Sequence, residues 1–259
     1  MTAIGDMPIA AFDLETTGPN PLSDRIVTAH LSLINPKTKQ IQPRDWLLNP
    51  GIDIPAGATA VHGITTEHAA EHGAEYAPGV EEIFTALLTA WKAGHVVVAF
   101  NGAFDLTLMN AEAERLGIGS LSSWCGPVVD PFVLDKAFDQ WRKGSRKLGD
   151  VCAHYGVKLD NAHEAKADAM AAARLAWKML RGFDFTTATV EQIMDCQTRW
   201  YAEQQQSFAR YLRKLARKIT EPDEDGRSVD EQKTDLLARA DSITVDWPIR
   251  LSLGQRSAA

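Results

Sequence analysis

The sequence predicts an α/β fold, a mixed sheet covered by helices on both faces. Two observations carry that prediction. Three β-rich stretches come first, at 7–13, 25–35 and 41–49, separated by turn formers. Apolar strands at 95–100 and 126–131 then alternate with segments of helical periodicity. With 259 residues, 45% apolar and 24% charged, the chain can bury one substantial core and still carry an appendage.

Taken in order, "MPIAAFD" at 7–13 is an apolar run of strand length. "RIVTAHLSLIN" at 25–35 alternates, and "PKTKQ" at 36–40 makes a hairpin-like turn into "IQPRDWLLN" at 41–49, where Pro43 marks an edge strand. Between 77 and 94, Val80, Ile83, Phe84, Leu87, Leu88 and Trp91 fall at helical spacing and Gly94 ends the run. "HVVVAF" at 95–100 is a buried strand, and a helix is expected from about 104 to 116. "GPVVDP" at 126–131 is a short strand, followed by helices over 147–157 and 163–180. From 189 to 218 a long amphipathic helix sets Val190, Ile193, Met194, Trp200, Tyr201, Phe208, Leu212 and Leu215 on one stripe. Arg199, Arg210, Arg213 and Arg217 fall opposite. The acidic stretch 220–231 reads as a mobile loop, and the apolar tail 245–253 is expected to dock on the core.

Composition excludes several classes. The longest apolar run, "VVVAF" at 96–100, is far short of a bilayer span, so no membrane association is expected. Residues 1–15 lack a basic region and reach acid quickly, which argues against a secretory signal. Cys125, Cys152 and Cys196 are far apart and form no CxxC pair, as reduced thiols of a cytoplasmic protein would be. A net charge of −7 argues against coating nucleic acid by bulk charge. It leaves open an enzyme that brings its own cations to a phosphodiester.

The first strand continues as "IAAFDLETTG" (9–18) and ends in Asp13 and Glu15. Side chains two apart on a strand share a face. Carboxylates held that close disfavour their charged forms unless a cation or a proton neutralises them. The pair therefore marks either a polar strand end or half of a metal site. Asp105 sits just inside the helix that follows a buried strand, where the helix N-terminus favours an anion. Asp168 heads the stripe Ala172, Leu175, Met179 and so points at the core, where only a coordinated charge is inexpensive. His163 lies about 140° from Asp168 on an ideal helix, so it is expected in the loop ahead of that helix, leaning over the same site. Asn101 either closes its turn by side-chain hydrogen bonds or meets substrate, and Asp130 reads as a cap or turn residue rather than a ligand. His62 is either a plain loop histidine or a substrate contact.

Asp13-x-Glu15 in "FDLETTG", Asn101 and Asp105 in "FNGAFD", and His163 with Asp168 in "HEAKAD" together resemble the three motifs of the DnaQ-like 3′–5′ exonucleases. The match is to the branch whose last motif carries histidine, the DEDDh pattern; Glu164 stands where the sister branch has tyrosine. "VHGIT" (61–65) and "KLGDVCAHYGVKL" (147–159) resemble further family segments, so the likeness runs over roughly 7–181. The segment "WYAEQQQSFARYL" is more loosely similar to tails of the polymerase III epsilon-type exonucleases of actinobacteria and their phages.

The resemblance implies a ribonuclease-H-like mixed five-stranded sheet with one antiparallel strand. It implies an exonuclease domain over 1–183 and a helical extension over 184–259. It also implies two Mg²⁺ or Mn²⁺ ions about 3.5–4 Å apart, clamping the attacking and leaving oxygens of a phosphodiester. In that scheme Asp13 bridges both ions, Glu15 and Asp168 hold the one that binds the nucleophilic water, and Asp105 supports the other. His163 takes the proton from that water, a role suited to an imidazole. Thr16, Thr17 and Gly18, with His62 and Asn101, are the expected substrate contacts. The implied partners are a nucleic acid with a 3′ end, single-stranded or frayed DNA favoured, and a DNA polymerase or other replication protein. An RNA-trimming exoribonuclease and a catalytically silent binding or scaffold protein on the same fold are the alternatives. A silent relative would be expected to have lost a metal ligand or the histidine.

Overall fold

A computed structural model describes residues 4, 7–159, 162–185 and 187–250. Its centre is one five-stranded sheet built from β1 (Ile9–Thr16), β2 (Ile26–Ile34), β3 (Ile41–Leu47), β4 (Val96–Val98) and β5 (Val128–Val129). The order across the sheet is β3-β2-β1-β4-β5. β2 runs antiparallel to both neighbours, whereas β1, β4 and β5 pair in parallel. β3 and β5 are thus the edges, and Pro43 sits on the edge strand where a missing N–H is tolerated.

Around the sheet are α1 (Ala56–His62), α2 (Thr66–His72), α3 (Tyr76–Lys92), α4 (Ala103–Arg115), α5 (Pro131–Phe138), α6 (Leu148–Tyr155) and α7 (Ala165–Gly182). α7 packs on β1 and β2. Small side chains allow the close approach: Ala11 of β1 meets Ala169 and Ala173 of α7, with Ile9, Ile34 and Met170 around them. Because Ala11, Asp13 and Glu15 alternate onto one face, the helix that covers Ala11 also comes up against the two acids. Ala10, Phe12 and Leu14 point the other way and are buried.

The chain divides into two compact units, Met1–Gln197 and Thr198–Ala259. The first runs past the expected boundary at 183 because the helix α8 (Val190–Ala216) begins by bonding to the sheet edge, as Gln197 and Met194 meet the backbone of β5. In the second unit, α9 (Val229–Asp241) joins the rest of α8: Arg213 pairs with Asp241 at 2.7 Å and Arg239 stacks over Phe208 at 5.4 Å. Phe208 was expected on the buried stripe but is 37% exposed, and Ala209 is buried instead. Residues 229–231, expected in a mobile loop, start α9 through a capping box between Ser228 and Glu231. The preceding turn is tied by Arg227 to Asp223 at 2.7 Å. Of the expected docking tail, residues 251–253 lie outside the described residues, while Arg250 donates to the Tyr201 hydroxyl at 3.0 Å. Among the described residues no helix is long and apolar enough to cross a membrane.

The short helices α1 and α2, and α5, are absent from the sequence reading. α2 is capped by the Thr65 side chain, and its end is pinned where Ala74 exchanges backbone hydrogen bonds with Leu47, the last residue of β3, and with Asn49. Gly73 makes that possible, because a Cβ there would lie 2.5 Å from Asn49 N and 2.6 Å from Leu48 C, both backbone atoms. Gly73→Ala is therefore expected to lower unfolding stability by about 1–3 kcal/mol, measured as a reduced urea midpoint with unchanged slope. A midpoint equal to wild type would contradict this packing.

Candidate active site

Three elements bring the acids together. Asp13 and Glu15 lie on β1, Asp168 in the first turn of α7 and Asp105 in the first turn of α4. One carboxylate oxygen from each of Asp13, Glu15 and Asp168 falls within 4.8 Å of the others. Asp105 is not in that group. Its place follows from the sheet: β4 pairs with β1 only along Ile9–Ala11, so the end of β1 loses its neighbour on that side. The buried Asp105 carboxylate fills the gap by accepting the Leu14 N–H at 3.0 Å.

Charge and burial push every one of these acids toward its protonated form. Burial raises Asp13 well above the ordinary carboxyl range, and Asp105, Glu15 and Asp168 add to it. Glu15 is pushed up to about 8 by burial and by Asp168. Asp105 is raised by burial and by the charges of Asp130 and Glu15, against the Leu14 N–H that lowers it. Asp168 is raised by burial, opposed by the His163 backbone N–H and by the His163 side chain. A cluster of carboxylate oxygens that repel one another is a donor set that a divalent metal ion fits.

His163 lies in the turn two residues before α7 and is exposed. Its φ of 71° is left-handed, unusual for a residue with a Cβ, and its N–H reaches both carboxylate oxygens of Asp168 at 3.3 Å. The histidine and that acid are therefore fixed to one another through the backbone. His163, His62, Ile64, Glu15, Asp45 and Trp46 line a groove of about 340 Å³. His62 ends α1; its Nδ1 accepts the Ile64 N–H at 3.1 Å, so Nε2 carries the proton and faces the Thr16 carbonyl. Burial lowers the His62 pKa, against the Thr16 carbonyl.

The remaining expected contacts divide. Thr17 is committed to its own loop: its N–H donates to Arg25 O at 3.0 Å and its hydroxyl accepts the Arg25 N–H at 3.0 Å. Gly18 allows that loop to close, since a Cβ there would lie 2.7 Å from the Asp24 carboxylate. Thr16 donates to Gly18 O at 2.8 Å. Asn101 has φ 58°, and its turn is held by the Asp130 carboxylate, which accepts the Asn101 N–H at 2.9 Å; the side chain of Asn101 does not close it. Asp130 is also the N-cap of α5, accepting the Phe132 N–H at 2.9 Å. Burial raises Asp130 to about 6. Gln197, which the sequence reading passed over, is fully buried and hydrogen-bonded on both sides of Val129, to Val128 and to Asp130.

An exonuclease family of the RNase T type matches residues 10–176. The PolC-type DNA polymerase III of Streptococcus thermophilus is 31% identical over 171 residues, which is 66% of this chain and 11% of that protein. The corresponding protein of Caldanaerobacter subterraneus is 32% identical over 170 residues, 65% of this chain and again 11% of the relative. The chain thus aligns with a small part of these curated relatives. Among solved structures, E. coli exonuclease I in complex with a dT13 oligonucleotide superposes with a TM-score of 0.60 at 20% identity, covering 69% of this chain and 43% of that one. Its zinc-bound complex with single-stranded DNA superposes at 0.58 and 20% identity, covering 69% and 41%. At that identity the likeness to exonuclease I shows a shared fold.

Raised carboxyl pKa values fix the sign of a pH effect. The folded chain keeps protons on these acids at a pH where the unfolded chain has lost them, so their contribution to stability is full in mild acid and is lost as pH rises. For Glu15 the window runs from its ordinary 4.5 to about 8. In chelator, the thermal midpoint is expected to fall across that window, and Mg²⁺ or Mn²⁺ should flatten the fall by binding the deprotonated acids. A midpoint in chelator that rises with pH across the same window would contradict this electrostatic description.

Proposed function

The chain belongs to the RNase T-type exonuclease family of DnaQ-like nucleases, and from that premise we propose that it removes nucleotides from the 3′ end of single-stranded or frayed DNA, releasing nucleoside 5′-monophosphates. The observation that carries this reading is the convergence of Asp13, Glu15 and Asp168 within 4.8 Å, beside a groove that also holds His163. Asp13, Glu15 and Asp168 would hold one divalent cation, and Asp13 with Asp105 would support a second. When bound, Mg²⁺ or Mn²⁺ supplies Lewis acidity that offsets phosphate charge and acidifies water.

The chain's own residues supply the rest. His163, exposed at the groove and tied to Asp168, accepts a proton from the attacking water at a ring nitrogen. The water oxygen bonds to phosphorus, the bond to the 3′ oxygen of the preceding nucleotide breaks, and that oxygen takes a proton from solvent. His62, its Nε2–H held against the Thr16 carbonyl, flanks the groove where the terminal nucleotide would lie. Thr16 and Gly18 follow the acids at the end of β1 and Asn101 follows the parallel β4, while Thr17 acts by holding the loop closed.

DNA is favoured over RNA because the similar segments belong to proteins named as DNA polymerases, and a polymerase or another replication protein is the partner that this likeness suggests. Cys125, Cys152 and Cys196 form no disulfide among the described residues, which suits a cytoplasmic setting.

Asp13→Ala is expected to abolish hydrolysis with the fold retained, since it deletes a shared ligand and relieves carboxylate repulsion. His163→Ala should cost about 10²–10⁴-fold in kcat. Wild type should turn 5′-labelled single-stranded DNA into a descending ladder and release a labelled mononucleotide directly from 3′-labelled DNA. Near wild-type turnover by Asp13→Ala, or release from the 5′ end, would reject the assignment; faster digestion of matched RNA would move the substrate to RNA.

A further inference from the structure

The outer edge of the sheet carries an arrangement that reaches the acidic site and is closed by Met194 and Gln197, which lie beyond the family-matched residues 10–176. β5 is an edge strand, so a row of its N–H and C=O groups has no strand to pair with. α8 pairs with that row through side chains. Gln197 Oε1 accepts the Asp130 N–H at 2.7 Å, and Nε2 donates to Val128 O at 2.9 Å and to Ile193 O at 3.3 Å. Met194 Sδ lies 3.1 Å from Val128 N as its acceptor. A primary amide offers the same donor and acceptor as a peptide group, so the fully buried Gln197 stands where a neighbouring strand would.

The residue that Gln197 grips is the one that shapes the site. Asp130 is 1% exposed, and its carboxylate holds the Asn101 N–H at 2.9 Å in a left-handed turn. Phe104 N then donates to Asn101 O at 2.8 Å as the chain enters α4, whose first turn carries Asp105. Asp105 in turn binds Leu14 N–H on β1 between Asp13 and Glu15. A continuous run of hydrogen bonds and short backbone steps therefore joins α8 to the acids.

We infer that Gln197 is a positioning residue of the nuclease site: it fixes Asp130, and through it the Asn101 turn and the Asp105 carboxylate. The first turns of α8 are on this account part of the catalytic unit. This rests on the exonuclease reading of the acidic cluster. An apolar side chain of similar length at 197 would keep the packing but strand the Asp130 N–H and the Val128 C=O without partners, and the β5 end must shift to solvate them. Displacements of about 1 Å distant from the chemistry can cost about 10²-fold in rate.

The test is Gln197→Leu in the full chain, with Asp13→Ala alongside. For folded Gln197→Leu, kcat on single-stranded DNA is expected to drop at least about tenfold with KM within about twofold, the pattern of a displaced catalytic group. Mn²⁺ binding, followed by electron paramagnetic resonance, should weaken in parallel, which a purely structural role for the amide would not produce. Loss of turnover in Asp13→Ala with wild-type kcat and Mn²⁺ binding in Gln197→Leu overturns the positioning role alone. Undiminished turnover in Asp13→Ala overturns the reading beneath it. Should Gln197→Leu not fold, wild type decides by ¹⁵N NMR. The Gln197 side-chain amide should shift during a Mg²⁺ titration with the same midpoint as the Asp105 backbone amide, and a Gln197 signal that stays fixed while Asp105 moves overturns the inference.

Discussion

Repulsion between carboxylates crowded at one end of β1 is the constraint that organises this molecule. Asp13 and Glu15 share a face because a strand repeats every two residues, and Asp168 and Asp105 are then brought against them. Among the described residues, no lysine or arginine is one of the groups that set their pKa values; apart from His163 beside Asp168, the opposing influences are backbone N–H groups. Such a cluster persists only if a cation or bound protons neutralise it. The surrounding fold supplies the energy that holds it together, through alanines that let α7 lie close on β1 and through a fully buried core that includes Phe12, Leu106 and Leu175.

Backbone as much as side chain sets the geometry. β4 stops pairing early, which frees the Leu14 N–H for Asp105 and so places a carboxylate from α4 beside a strand it does not neighbour in sequence. His163 and Asn101 both occupy left-handed conformations, and each has its N–H held by an aspartate, Asp168 and Asp130 respectively. Conformations of that kind cost about 1–3 kcal/mol and persist where neighbours over-determine them. Here the neighbours are acids that belong to the site or adjoin it, so local strain and chemical position are fixed by the same contacts.

Much of this was legible in the sequence. The sheet and the long helices followed from apolar runs, periodicity and turn residues; Asp13, Glu15 and Asp168 stood out because spacing put charge where an uncompensated charge is costly, and Asp105 and His163 joined them through the motif resemblance. What was missed had weaker or overlooked signals. α5 starts with Asp130 and Pro131, a cap followed by proline, and α9 with the Ser228–Glu231 box; both are start signals hidden inside stretches read as a strand end and a loop. α1 and α2 are too short for periodicity to show. Gln197 was visible only as a polar residue on an otherwise apolar stripe, four positions from both Ile193 and Tyr201, and its partner strand cannot be inferred from local pattern. Phe208 went astray because a helical stripe drifts, and Ala209 fits the packed face better than an aromatic ring.

Whether the converging acids hold divalent cations decides the chemistry of this molecule. Anomalous diffraction from a crystal soaked in Mn²⁺ tests it most directly. A strong peak is expected among the Asp13, Glu15 and Asp168 carboxylates, within direct coordination distance of their oxygens. The same acids clustered in the soaked crystal with no metal peak between them would contradict it.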